Sequence, residues 1–296
     1  MRNIYESADQ TKVKHVIAAY RRARDTVTNA SDLSPNNPLI SRDLSALVGA
    51  VSMPFNPAET RAILQHDDIA ANQSRMWERL SQAESAMELY DSAVLSGRRL
   101  QDFRYFENYD GLVDAELEQL GRPRLAKHES IAFVGAGPLP LSAILMHQKT
   151  GSRIVCLDND PEAAALGRDF IKKSGLSSDA VQYRCTAGEH YDYSANPIVF
   201  IASLVGDKNS VMRQIHASPG NKTLAIRSSE GVHKLLYSPL EPQAGNGLNL
   251  RFRRGTKATP QIINTTLFFT MPGKQETSPS RPDHKALWQP AGLVAG

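Results

Sequence analysis

Along the first 126 residues, apolar positions recur at spacings of three and four, the period of helices that bury one face. The segment 10–28, around KVKHVIAAYRRARDTV, predicts a first helix. The polar stretch NASDLSPNNP, with its two prolines, interrupts it. SRDLSALVGAV then predicts a second helix with Ser41 as its N-cap. The strongest helical stretch runs from Asn56 to about residue 96. Asn56 can cap it and Pro57 suits its first turn, while Met76, Leu80, Ala83, Met87, Tyr90 and Val94 form an apolar stripe. DGLVDAELEQLG predicts one more helix, ended by Gly121.

Near residue 128 the pattern changes. Short β-branched runs alternate with helical segments: SIAFVGA, PLPLSAILMHQKT, RIVCLD, PEAAALGRDFIKKSG. QYRCTA, IVFIASLV and TLAIRSS predict three further strands. Strands separated by helices predict a parallel sheet with crossovers, an α/β architecture. LNLRFRR and TTLFFTM follow with no long helix between them and fit two terminal antiparallel strands. The end, PGKQETSPSRPDHKALWQPAGLVAG, is rich in Pro, Ser and Gly and reads as a flexible tail or a strap over the surface. The expected organisation is a helical domain over 1–126, a sheet domain over 127–275 and a tail over 276–296.

Composition narrows the function classes. Of 296 residues, 41% are hydrophobic and 22% charged, enough apolar material for a core. The net charge of +3 is too small to suggest a nucleic-acid binder. No apolar run approaches the roughly 20 residues that span a bilayer, and the polar N-terminus lacks a signal core. A cytoplasmic protein with no membrane or nucleic-acid partner is expected. Cys156 and Cys185 both sit in apolar segments and read as buried, reduced thiols. The eight histidines form no close ligand pair, so no catalytic metal is expected.

The first strand ends in Phe133-Val134-Gly135-Ala136-Gly137-Pro138-Leu139-Pro140. Gly135 and Gly137 allow a tight turn that approaches a ligand closely, and the next helix offers free N–H groups. The second strand ends in Asp158, about 20 residues on, where a carboxylate can accept from both ribose hydroxyls. Strand, G-x-G, helix, strand and Asp in this order predict nucleoside binding. Pro140 replaces the third glycine of a dinucleotide fingerprint, which favours S-adenosylmethionine (SAM) over a pyrophosphate.

FVGAGPLPLSAILM, with LDNDPEA after it, resembles the nicotianamine synthases and the bacterial aminobutanoyltransferases that make opine-type metallophores. IASLVG, IRSSEGVHKLLYSPLEP, QAES and FRYFENY agree, so that the resemblance runs from about residue 35 to 242. It implies a SAM-dependent methyltransferase-like Rossmann fold with an N-terminal helical domain. It also implies transfer of the 3-amino-3-carboxypropyl (aminobutanoyl) group of SAM rather than its methyl. The implied acceptor is histidine or another amino acid, with an opine dehydrogenase downstream and a homodimer among the expected states. A nicotianamine synthase condensing three SAM and a small-molecule methyltransferase remain the alternatives.

Amine alkylation needs a base, because ammonium has no lone pair. Glu84 lies at the edge of the Met76–Met87 stripe, near Trp77, where lost hydration raises a carboxylate's pKa. By pattern alone an exposed boundary glutamate is the commoner reading; the resemblance points to this same glutamate in QAES. Tyr105 and Tyr109 lie four apart, and their phenols can hold the attacking amine or serve only in packing. Asp158 is expected on the ribose, with Asp160 as the cap of the helix from Pro161. Ala187 follows the third strand, where adenine sits; relatives tend to carry an Asp there, whereas this chain has Gly188-Glu189. Ala202, Ser203 and Leu204 end the fourth strand and are expected to face the co-substrate. Arg227 and Ser228 end the fifth; Arg227 can hold a substrate carboxylate, with a structural salt bridge as the rival. Tyr237 is placed in the acceptor pocket, and Glu230 stands where the plant-like pattern has His.

Overall fold

A side-chain cap starts each of the first three helices of the N-terminal layer. Asp9 accepts from the amides of Thr11 and Lys12 and opens α1 (Gln10–Asn29). In the computed structural model, which describes residues 8–94, 100–103, 105–121, 129–241, 243–259 and 262–272, α2 spans Pro38–Val51. Its cap is Asn37, not Ser41: the Asn37 side chain accepts from Leu39 N–H and Pro38 takes the first turn. The expected single helix after Asn56 is two. Asn56 and Glu59 form a reciprocal capping box at α3 (Pro57–Leu64). At His66 the chain breaks; the ring Nδ1 accepts from Asp68 N–H, and α4 (Asp67–Val94) restarts with two aspartates in its first turn. Residues 95–99 lie outside the described residues. The fifth helix, α5, covers Phe106–Leu120 and ends at left-handed Gly121.

The second half forms strands β1 (Ser130–Val134), β2 (Arg153–Asp158), β3 (Val181–Cys185), β4 (Ile198–Ile201), β5 (Lys222–Ser228), β6 (Arg251–Gly255) and β7 (Thr265–Met271). Between them run α6 (Leu141–Thr150), α7 (Pro161–Lys173) and α8 (Lys208–Ala217). The sheet order is β3-β2-β1-β4-β5-β7-β6. The first five strands are parallel, and β7 pairs antiparallel with β5 and β6. Strand alternation builds two cores. Ile131 and Phe133 face α5, α6 and α7, while Ala132 and Val134 face α8. α5 therefore packs on the sheet, with Val113 and Leu117 in its core. The other helices keep their own core around Tyr20, Leu47 and Met76.

The two layers meet at a short 3-10 turn, Gly231–Leu235, after β5. Val232, Leu235 and Leu236 enter the helical core, and Trp77 Nε1 donates to Lys234 C=O at 2.7 Å. The tail expected over 276–296 lies outside the described residues. Among the described residues, no helix is long and apolar enough to cross a membrane.

Candidate functional site

The turn after β1 is shaped by two left-handed glycines, Gly135 (φ 77°) and Gly137 (φ 66°). Gly135 and Ala136 N–H both donate to Leu157 C=O, at 2.8 and 3.1 Å, which ties the turn to the end of β2. A β-carbon on Gly135 would come within 2.6 Å of Val205 Cγ2. Gly137 N–H donates to Asp158 Oδ2 at 2.9 Å, and Asp160 N–H to Oδ1 at 3.0 Å. Two backbone amides thus fix the Asp158 carboxylate, and each oxygen keeps a lone pair for a ligand. Asp160 itself caps α7 through Glu162 N–H, as expected.

This turn opens onto a cavity of about 1060 Å³ between the sheet and the helical layer. Gly135, Gly137, Pro138, Asp158, Ala187, Ala202, Ser203 and Leu204 all line it on the sheet side. Glu84, Tyr105, Tyr109, Arg227 and Tyr237 line it too. The Ser203 hydroxyl is buried there, without a hydrogen-bond partner among the described residues. The cavity lies off the C-terminal ends of the strands, where the order reverses between β1 and β4.

The base of the cavity is acidic. Burial pushes the Glu84 carboxyl from 4.5 up to about 7, against the Tyr237 hydrogen bond and the charge of Arg227, which lower it. Glu88, one turn further along α4, is pushed to about 8 by burial and then by the charge of Glu84. Both side chains keep some accessible surface inside the cavity; the walls that withhold bulk water, not that surface, set their titration. Tyr109 Oη donates to Glu88 Oε1 at 3.2 Å, and burial raises the Tyr109 and Tyr237 phenols well above their ordinary value. Glu88 was not foreseen from sequence, although its i+4 spacing from Glu84 places both on one helix face.

Three expectations are corrected. Arg227 has its Nε–Nη2 edge already taken: Nε and Nη2 form a bidentate pair with Glu116 of α5, at 2.9 and 3.0 Å, and Nη2 also reaches Ser142 Oγ at 3.0 Å. The structural salt bridge prevails, and Arg227 acts on the site through its field. Ser228 is buried outside the cavity lining, and its Oγ accepts from Leu240 N–H at 2.8 Å. Cys156 is buried but Cys185 is exposed, because the end of β3 is a sheet edge open to solvent. Glu230 is exposed and lies outside the cavity lining. Tyr105 sits at the start of α5, its ring edge-on to Phe103 at 5.7 Å.

A family model described as nicotianamine synthase protein matches residues 6–273. The chain belongs to the nicotianamine synthase family. It is 30% identical over 271 residues to a nicotianamine synthase of Solanum lycopersicum, covering 82% of this chain and 79% of that protein. It is 26% identical over 182 residues to an L-histidine 2-aminobutanoyltransferase of Yersinia pestis, covering 60% of this chain and 66% of that one. A solved structure described as MtNAS in complex with MTA and tNA shares the fold, with a TM-score of 0.75 at 20% identity over 87% of this chain and 97% of that chain. Nicotianamine synthase-like enzymes transfer the aminobutanoyl group of SAM, and this chain is a transferase of that kind.

Proposed function

We propose that the chain transfers the 3-amino-3-carboxypropyl group of SAM to the α-amine of histidine, releasing methylthioadenosine, with no metal. The observation that carries this reading is the convergence of Glu84, Glu88 and Asp158 on one cavity whose lining guanidinium, Arg227, is already paired. Such a site suits two cationic substrates, a sulfonium and an amine. The name of the Yersinia pestis relative supports histidine as the acceptor.

Asp158 and the Gly135–Gly137 turn suit the ribose end of the donor, with the Ala187 and Ala202–Leu204 backbone walling the base. Of the three carbons on a sulfonium, the one in line with the nucleophile reacts. Glu84 takes a proton from the acceptor ammonium. The freed lone pair forms the C–N bond to Cγ, the C–S bond breaks, and its electron pair returns to sulfur as a neutral thioether. Tyr237 orients Glu84 through their hydrogen bond, and Tyr105 and Tyr109 flank the approach of the amine.

The test is product mass after incubation with SAM, with and without histidine. Methylthioadenosine and one aminobutanoyl addition to histidine are expected. S-adenosylhomocysteine as the main by-product would instead make the chain a methyltransferase. The match to the Solanum lycopersicum protein over 82% of this chain favours a second reading, condensation of three SAM. Nicotianamine formed from SAM alone at a comparable rate would establish it.

A further inference from the structure

Glu88 is a second buried carboxylate in a site that needs one base. Its partners among the described residues are a phenol, Tyr109, and no cation contacts it there. A carboxyl enclosed in this way gives up its proton when a positive ligand enters beside it, so it suits a cationic group.

Its position says which one. The Glu88 carboxylate lies over Gly137; a β-carbon there would overlap Glu88 Oε2. Gly137 belongs to the turn that fixes Asp158, so Glu88 faces the donor's end of the cavity. Tyr183 Oη already donates to Gly137 C=O at 2.6 Å, which occupies one of that carbonyl's two lone pairs and leaves Glu88 as the carboxylate over the turn. Glu84 is engaged elsewhere, by Tyr237 on the segment after β5.

The spacing agrees. Residues four apart on a helix are displaced by about 6 Å along the axis. In the transfer step two nitrogens flank the reacting Cγ. The acceptor nitrogen stands about 3–3.5 Å away in a near-attack geometry. The donor's own α-ammonium lies three bonds from Cγ on the other side, at a similar distance. A pair of carboxylates one helical turn apart therefore fits the two nitrogens, one each.

We propose that Glu88 anchors the α-ammonium of the donor's aminobutanoyl arm and so turns Cγ, rather than the methyl carbon, toward the acceptor held at Glu84. The inference rests on the donor reading above and adds the residue that selects the reacting carbon.

The experiment uses three ligands: SAM, its analogue lacking only the α-amino group and keeping the sulfonium, and methylthioadenosine, which lacks both the arm and the sulfonium charge. Binding is measured by calorimetry for the full chain, Glu88→Gln and Glu88→Asp. The unaltered protein is expected to bind SAM about 10- to 100-fold more tightly than the deamino analogue, the usual worth of a hydrogen bond to a charged group. Glu88→Gln is expected to lose that preference while binding methylthioadenosine normally, which also shows that the variant is folded. Glu88→Asp is expected to retain part of the preference, and Glu84→Gln all of it. If Glu88→Gln keeps the full preference for SAM, the inference is wrong. If Glu84→Gln is the variant that loses it, the two carboxylates have exchanged roles and the inference also fails. If the unaltered chain binds neither SAM nor methylthioadenosine, it is the donor reading that falls.

Discussion

Replacing Glu84 by Gln should make the protein more stable and less active, and the pH dependence of the first effect identifies the cause. The folded protein holds the Glu84 proton up to about pH 7, whereas an unfolded chain releases it near 4.5. Below 4.5 both states are protonated and the group is neutral toward stability. Between 4.5 and about 7 the unfolded state ionises first, so stability falls as pH rises; above 7 the loss is complete. At about 1.4 kcal/mol per pH unit, the rise sets an upper bound of about 3 kcal/mol. The side chain retains some accessible surface, so about 1–3 kcal/mol is expected. Glu84→Gln should therefore gain about this much in urea unfolding at pH 8.5 and nothing at pH 4. Removing the Glu84 charge also relieves Glu88, in the same direction. Turnover at pH 8 should fall by roughly 10²–10⁴, the worth of a positioned base. A variant less stable at every pH would show Glu84 to be a structural residue, and near-normal turnover would remove it as the base.

Asp158→Ala should weaken SAM binding by about 1–3 kcal/mol in calorimetry while leaving the fold intact. Arg227→Met should destabilise by about 3–5 kcal/mol in denaturant melts by leaving Glu116 buried without its partner, and Arg227→Met with Glu116→Leu should recover most of that loss. Gly137→Ala should cost about 1–2 kcal/mol for its left-handed backbone and push Glu88 aside, which a raised KM for SAM would report. Turnover in the unaltered enzyme should climb tenfold per pH unit below about 7 as Glu84 ionises, then level off, and Glu84→Gln should lack this limb in a pH–rate profile.

The parts of the site that follow from local chain chemistry were legible in the sequence. Gly135, Gly137 and Asp158 carry their geometry in their residue types and spacing, and Asp160 caps α7 for the same reason. The alternation of strands and helices gave the parallel sheet directly. Local competition defeated finer detail: Asn37 outcompetes Ser41 because Pro38 follows it, and His66 divides what the stripe made look like one helix. Long-range pairing was out of reach. Arg227 meets Glu116 across 111 residues, and no period in the chain announces that partner. Glu88 shared a helix face with Glu84, but only the approach of Gly137 distinguishes it from a solvated glutamate.

The buried carboxylate of Glu116 also bears on how the chain comes to be folded. It sits on the last helix of the N-terminal half, yet its partners arrive far later: Ser142 on α6 bonds its arginine, Arg227 on β5 grips both oxygens, and Thr266 on β7 donates to Oε1 at 2.6 Å. A ribosome emitting this chain releases α5 well before any of them. Until β5 and β7 emerge, a docked α5 would bury an uncompensated charge, which costs several kcal/mol. α5 must therefore wait undocked, its apolar face available to chaperones, while the four helices before it can already assemble most of their core, which Val232, Leu235 and Leu236 later complete. Because Tyr105 and Tyr109 ride on the start of that helix, the floor of the cavity is completed only when nearly the whole chain has been made. Fragments cut between the helices and the sheet should then recombine poorly, for the seam that matters runs through α5 and not beside it.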